Sequence, residues 1–197
     1  MYTLTHEWSD QDTSYNIPNS STVVNIGLAS YSNNLRLYDF SPSRPNGSES
    51  GVIDIGRYTS IADQVSIHLF GNHDYQKVTT SPLMPIIDDY KQEMEAEPAE
   101  NVVIGNDVWI GNNALILSNV VVGDGSVIGA NCVVGKSVPP YAVVVGNPMR
   151  IIKYRFEHEI IESLLKIKWW EWDLSKVKSN SEFLQSRSVE SFIKRHL

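Results

Sequence analysis

A chain of 197 residues is long enough to bury one sizeable core. A formal net charge of -7 and a pI of about 5.2 exclude a general affinity for nucleic acid or an anionic membrane. No apolar run approaches the ~20 residues of a membrane span, and the N-terminal MYTLTHEWSDQD has neither the basic nor the apolar region of a signal peptide. The single cysteine, Cys132, rules out an intrachain disulfide and fits a reducing, cytoplasmic compartment.

Residues 1–20 are polar, include Pro18, and read as a loosely ordered lead-in; Val23 to Gly27 open a strand. Tyr31, Leu35, Leu37, Tyr38 and Phe40 follow, then the turn-rich run SPSRPNGSES at 41–50. From Val52 the chain falls into blocks of six, IGRYTS at 55–60 and IADQVS at 61–66, and the frame stops after Ile67. An excursion occupies 68–101, an uncommon length for a loop in a compact domain and usually a functional one. Its first half, HLFGNHDYQKVTTSPLMP, holds aromatics, a histidine and prolines. Its acidic second half, DDYKQEMEAEPAE, predicts a short helix with a solvated face.

From Ile104 to Pro139 the blocks of six return. The first position is aliphatic (Ile104, Ile110, Ile116, Val122, Ile128, Val134), the second is Gly except at Leu117, and the fifth is small or β-branched. Neither a helix nor an alternating strand has this period. A triangular coil does, with short strands and tight turns in every lap, the opening aliphatic pointing inward and the Gly sitting where a Cβ would crowd the backbone. Cys132, at a fifth position, reads as a small core residue. PYAVVVGNP closes the coil and Asn147-Pro148 ejects the chain. Phe156 to Lys168 has the apolar spacing of an amphipathic helix. Trp169, Trp170 and Trp172 cap the coil or pack on a neighbouring subunit, and a last helix spans Ser179 to Arg195. The expected organisation is one domain over 1–197: lead-in and first strands at 1–50, a coil at 51–146 interrupted by the loop 68–101, and a helical segment at 147–197.

The repeat, NDVWIG at Asn106 to Gly111, GNH at Gly71 to His73 and VPPYAVVVGNPMRIIKYRF at Val138 to Phe156 resemble the hexapeptide acyltransferases, and within them the xenobiotic acetyltransferase branch. The resemblance spans roughly residues 50 to 172. It implies a mainly β fold, a left-handed parallel β-helix with a protruding loop and a C-terminal α-helix. It also implies a homotrimer and transfer of acetyl from acetyl-CoA to a hydroxyl. The trimer has a second motive, since one coil offers a long cofactor only one wall.

Such a transfer needs a base of near-neutral pKa, and imidazole is that side chain. By resemblance His73 is the base, its other ring nitrogen held by a carbonyl or carboxylate; the alternative is a surface-loop histidine. Asp74 follows directly, but adjacency along the chain sets no contact. Transfer is expected to be direct, the oxyanion stabilised by backbone N–H groups or water. Pantetheine would lie along the coils where Gly111, Gly129 and Ala130 permit close approach. Trp109 packs near the thiol end by resemblance, or is an outward aromatic at a subunit seam. Lys136, Arg150 and Lys153 suit the nucleotide phosphates, and Asn147 and Pro148 occupy the turn that receives the adenine end in the resembling family. Tyr31 and Tyr38 are candidate counterparts of tyrosines beside the acceptor, or aromatics covering the open end of the coil. His68 is structural or lines the acceptor site.

After the histidine, VTTSPL stands where the antibiotic-modifying enzymes show a tyrosine-proline-phenylalanine run. That departure turns the acceptor expectation toward a sugar or polysaccharide precursor, with a streptogramin-type antibiotic as the alternative. His68 and His73 also share the H-x4-H spacing of zinc carbonic anhydrases built on such a coil. Zinc there needs a third histidine from an earlier lap, and His6, His158 and His196 lie in the lead-in or past the coil, so no metal is expected. A non-catalytic trimeric scaffold is the remaining rival.

Overall fold

The period of six is realised as parallel pairing between laps. In the computed structural model, which describes residues 1–40, 48–81, 83 and 98–197, the strands stack into three faces. The first face stacks β3 (Val23–Ile26), β5 (Val52–Ile55), β8 (Val102–Ile104) and β11 (Val121–Val122). The second stacks the start of β4 (Tyr31–Asp39), β6 (Ser60–Ile61), β9 (Trp109–Ile110), β12 (Val127–Ile128) and β14 (Ala142–Val145). The third stacks the end of β4, β7 (Ser66–Leu69), β10 (Leu115–Ile116) and β13 (Val133–Val134). β4 serves two faces because it turns the corner at Asn34, whose φ of +49° lies in the left-handed region that Asn tolerates.

The residues opening the blocks from Ile104 to Val134 are all buried, and so are the fifth-position residues from Val108 to Val138. Equivalent residues pair in register. Ile61 pairs with Ile110 and Ile110 with Ile128, so each aliphatic side chain stacks on its counterpart one lap on. A Cβ on Gly111 would lie 2.6 Å from the backbone nitrogen of Ala130, and one on Gly123 2.5 Å from that of Pro140. The laps reach this spacing only over a bare Cα. Polar side chains tie the corners together: Asn106 Nδ2 donates to Asp124 Oδ1 at 2.9 Å, and Asn113 Nδ2 to Asn131 Oδ1 at 2.8 Å.

The N-terminal region differs from the expectation. The stack begins with β3 and β4, a lap before Val52, and Ser32 occupies an inward position of that lap. A buried serine hides the aliphatic frame that marks the later laps. The lead-in is ordered as β1 (Tyr2–His6) and β2 (Thr13–Asn16), antiparallel to β4 and β3. Leu4 and His6 alternate inward, and the imidazole disguises the pattern; His6 Nδ1 meets the Tyr15 hydroxyl at 2.7 Å.

At the other end the turn at Asn147-Pro148 does not simply eject the chain. It reverses it into β15 (Arg150–Tyr154), antiparallel on β14. The helix α1 (His158–Ile167) buries Ile161 and Leu164, and the three-residue turn Trp169–Glu171 buries Trp170. Trp169 packs on Tyr58 of the chain's own coil with ring centroids 4.7 Å apart, while Trp172 packs on Phe192 of the last helix. A short helix, α2 (Leu174–Ser179), precedes the expected last helix, which is broken in two: α3 (Ser181–Leu184) and α4 (Val189–His196). The Ser186 hydroxyl accepts from the Ser188 N–H and holds the break before α4. The turn expected at 41–47 and most of the acidic segment expected to be helical, 88–97, lie outside the described residues. Among the described residues no helix is long and apolar enough to cross a membrane.

Candidate active site

The third face ends in the excursion. After β7, Phe70 (φ +59°) and Gly71 (φ +92°) swing the chain off the coil, and the space a Gly71 Cβ would need is filled by the Phe40 ring, 2.7 Å away. The two ends of the excursion are joined by the Phe70 N–H, which donates to Glu100 Oε2 at 2.8 Å. Residues 71–81 are exposed, His73 among them. The ring nitrogen Nδ1 of His73 is hydrogen-bonded to the Thr80 carbonyl. A carbonyl only accepts, so Nδ1 is the donor, and in the neutral ring Nε2 carries the lone pair. Asp74 accepts from the Gln76 N–H at 3.0 Å and caps its own turn rather than orienting His73.

Beside the root of the excursion, Tyr38 and His68 are ladder partners with ring centroids 4.5 Å apart. Burial pushes the His68 imidazole below its ordinary pKa and keeps it neutral at neutral pH. Tyr31 is not with them. It lies on the second face, in an outward column that runs Tyr31, Ser60, Trp109, Val127, Val143, Lys153 from lap to lap. Trp109 is 59% exposed and Tyr31 47%. Arg150 pairs with Val145 at the edge of the same face, and Asn147 and Pro148 form the exposed turn before it.

The fold thus brings Tyr31, Trp109, Arg150 and Lys153 to one face, while Tyr38, His68 and the root of the His73 loop belong to another. Lys136 is exposed beyond β13 on the third face, apart from Arg150 and Lys153. The smallness of Gly111 and Gly129 is used between laps. Gly111 is buried over Ala130, and a Cβ on Gly129 would lie 2.8 Å from the Val145 side chain; Ala130 itself is exposed. Among the described residues no group of three His, Cys, Asp or Glu side chains could hold a metal ion.

One pair escaped the sequence reading. Asp107, inside NDVWIG, turns the corner before β9 with φ +54°. The guanidinium of Arg155 reaches it from just past β15: Nη1 lies 3.1 Å from Asp107 Oδ2 and also donates to the Gly125 carbonyl at 2.7 Å. Burial pushes the Asp107 carboxyl up, against the downward pull of Arg155. The Arg155 guanidinium also stacks over Tyr141 and Phe156 at 5.3 and 5.4 Å. Tyr141, at the corner two laps below Asp107, has its phenol raised by burial and then by the Asp107 charge. Asp107, Tyr141, Arg155 and Trp169 line a cavity of about 140 Å³ beneath the C-terminal helices. A wider groove of about 740 Å³ runs between Pro139, Pro140, Lys153 and α1. The partners Asp107 and Arg155 stand 48 positions apart, and no local pattern links them.

Residues 101–136 match the family described as bacterial transferase hexapeptide (six repeats). The chain is 37% identical to a chloramphenicol acetyltransferase of Klebsiella aerogenes over 74% of its own length and 71% of the relative's. It is 41% identical to a probable macrolide acetyltransferase of Lysinibacillus sphaericus, covering 68% of this chain and 77% of the relative. Among solved structures it is similar in fold to a mutant of AntD, an N-acyltransferase from Bacillus cereus in complex with dTDP-4-amino-4,6-dideoxyglucose and coenzyme A. That similarity has a TM-score of 0.50 at 23% identity, over 74% of this chain and 71% of that one.

Proposed function

Because the chain belongs to the hexapeptide-repeat acyltransferases, in the xenobiotic acetyltransferase branch, we propose that it acetylates a hydroxyl of a small xenobiotic such as chloramphenicol or a macrolide. It is an acetyltransferase that uses acetyl-CoA. The departure at VTTSPL favours a sugar acceptor. The curated relatives, similar over two thirds of the chain and more, weigh the other way and are preferred here.

The observation that carries the reading is the Nδ1 bond of His73 to the Thr80 carbonyl. It fixes the tautomer, so Nε2 takes the acceptor's hydroxyl proton as the oxygen attacks and returns it to the leaving sulfur. Tyr38 and His68, in tilted contact at the root of the loop, offer the acceptor an aromatic wall. The outward column of the second face fits acetyl-CoA, which supplies an activated acetyl thioester. Trp109 presents an exposed ring, valines give a flat apolar track, and Lys153 and Arg150 offer exposed cations for phosphates. Asn147 and Pro148 would bound the adenine end, Ala130 the rim of the groove, and Lys136 a more distant cationic edge.

Base and cofactor column sit on different faces of one coil. In this reading three left-handed coils, each a single domain, assemble so that the His73 loop of one protomer meets the second face of the next. Exposed Val103, Val121 and Ile152 support such packing. The reaction would then run in the cytoplasm, where acetyl-CoA is supplied.

The test is a labelled acetyl-CoA screen over chloramphenicol, macrolides, streptogramin A compounds, nucleotide sugars and free sugars, with His73→Ala beside the parent. Turnover of an antibiotic, lost by ~10²-fold or more in His73→Ala at unchanged acetyl-CoA affinity, is expected. A sugar as the best acceptor, or full activity in the variant, overturns the reading.

A further inference from the structure

We propose that Arg155 is a positioning residue for acetyl-CoA, holding Trp109 and the cationic strand β15 at a fixed separation by gripping Asp107 and Gly125. The inference rests on the cofactor placement above. One nitrogen, Nη1, bonds the corners of two successive laps, Asp107 Oδ2 at 3.1 Å and the Gly125 carbonyl at 2.7 Å. Asp107 is two residues before Trp109, and Arg155 two residues after Lys153. Trp109 and Lys153 lie in the same outward column, with Val127 and Val143 between them. One guanidinium therefore joins the segment that carries the ring to the segment that carries the cations. The rings of Tyr141 and Phe156, with centroids 5.3 and 5.4 Å from the guanidinium carbon, confine it.

The energetics argue against a purely structural bond. Asp107 is raised chiefly by burial, and the Arg155 charge only partly offsets it. A carboxyl whose folded pKa exceeds its unfolded one opposes folding while ionised, and the opposition fades as pH falls. The pair is partly exposed, with the Arg155 and Asp107 side chains at 31% and 28%, and an ion pair so placed adds little net stability. A contact that weakly stabilises the fold yet spans both cofactor grips is better explained by geometry at the site.

The test compares Arg155→Lys, which keeps the charge but is one atom shorter and loses the guanidinium held over the Tyr141 and Phe156 rings, with Asp107→Asn, which suits the left-handed corner and loses the charge. Trp109→Ala and Lys153→Ala are the reference variants. Coenzyme A affinity is measured by calorimetry, the acetyl-CoA KM and kcat by initial rates, and stability by thermal unfolding. Expected in both clamp variants is a rise of about tenfold in Kd and KM with kcat within about twofold. Asp107→Asn should melt at or above the parent temperature. A lower melting temperature with unchanged Kd in Arg155→Lys and Asp107→Asn assigns the pair a structural role and overturns the proposal. Weak binding by the two reference variants beside normal clamp variants removes the clamp alone. Normal coenzyme A binding by Trp109→Ala and Lys153→Ala removes the cofactor placement, and the clamp with it.

Discussion

The Gly71→Ala substitution separates the position of the proposed base, His73, from the stability of the coil. Gly71 has φ +92°, and an added Cβ would lie 2.7 Å from the Phe40 ring. Holding an L-residue in the left-handed region costs about 1–2 kcal/mol, before any contribution from the ring. In a chain of this size that would lower Tm by roughly 2–8 °C if the backbone stayed in place. The segment beyond Gly71 is exposed through residue 81, so swinging it aside sacrifices little packing. The strain is therefore expected to relax by moving the loop, and His73 with it. A displacement of about 1 Å can cost ~10²-fold in rate. Steady-state kinetics with saturating acetyl-CoA should show kcat falling by about 10–100-fold, while differential scanning fluorimetry records a Tm drop below about 2 °C. Adding Phe40→Ala relieves the ring contact but leaves the backbone angle, so it should recover only part of the rate. A Tm loss of several degrees with an unchanged kcat would refute the reasoning, because the loop would then hold its course under strain.

Ile110→Ala removes a side chain that is fully buried and pairs with Ile61 above and Ile128 below. It should destabilise by about 2–5 kcal/mol in urea titration, and a loss below about 1 kcal/mol would count against stacked-lap packing as the main source of stability. Burial depresses the His6 pKa below its unfolded value of about 6.5, so the neutral form is favoured in the folded state. Its contribution to stability is full above that unfolded value and is lost as pH falls through the depressed folded one. Unfolding free energy should therefore decline between pH 7 and 5 in the parent, and the decline should shrink in His6→Gln; identical pH slopes would contradict this.

The coil from 104 to 139 was legible because its inward residues repeat at one interval with no interruption. The first lap was not, since Ser32 fills an inward place and β4 turns a corner within one continuous strand. That same corner puts Tyr31 and Tyr38 on different faces, although seven positions of polar and aliphatic sequence suggested one cluster. GNH pointed to the proposed base, but the group bonded to its ring could not be read, because the Thr80 carbonyl is backbone and carries no side-chain signature. The β14–β15 hairpin hid behind an Asn-Pro turn that normally ends an element. The Asp107–Arg155 pair required the third dimension, since only the stacking of β15 beneath the coil brings Arg155 to the Asp107 corner.

The antiparallel strands at the two ends have a consequence for solubility. A stack of equivalent laps has no intrinsic length: its last lap presents the same open backbone edge that the previous one satisfied, and a second molecule could continue it. Here β1 and β2 cross the top against the direction of the ladder, and β15 does so at the bottom of the second face. Among the described residues β11 is already bridged by Val138, and the terminal β13 is two residues long. An incoming parallel strand meets a capping strand of opposite polarity or an edge that is short or already bridged, so the ladder offers no matching lap on which end-to-end growth could continue.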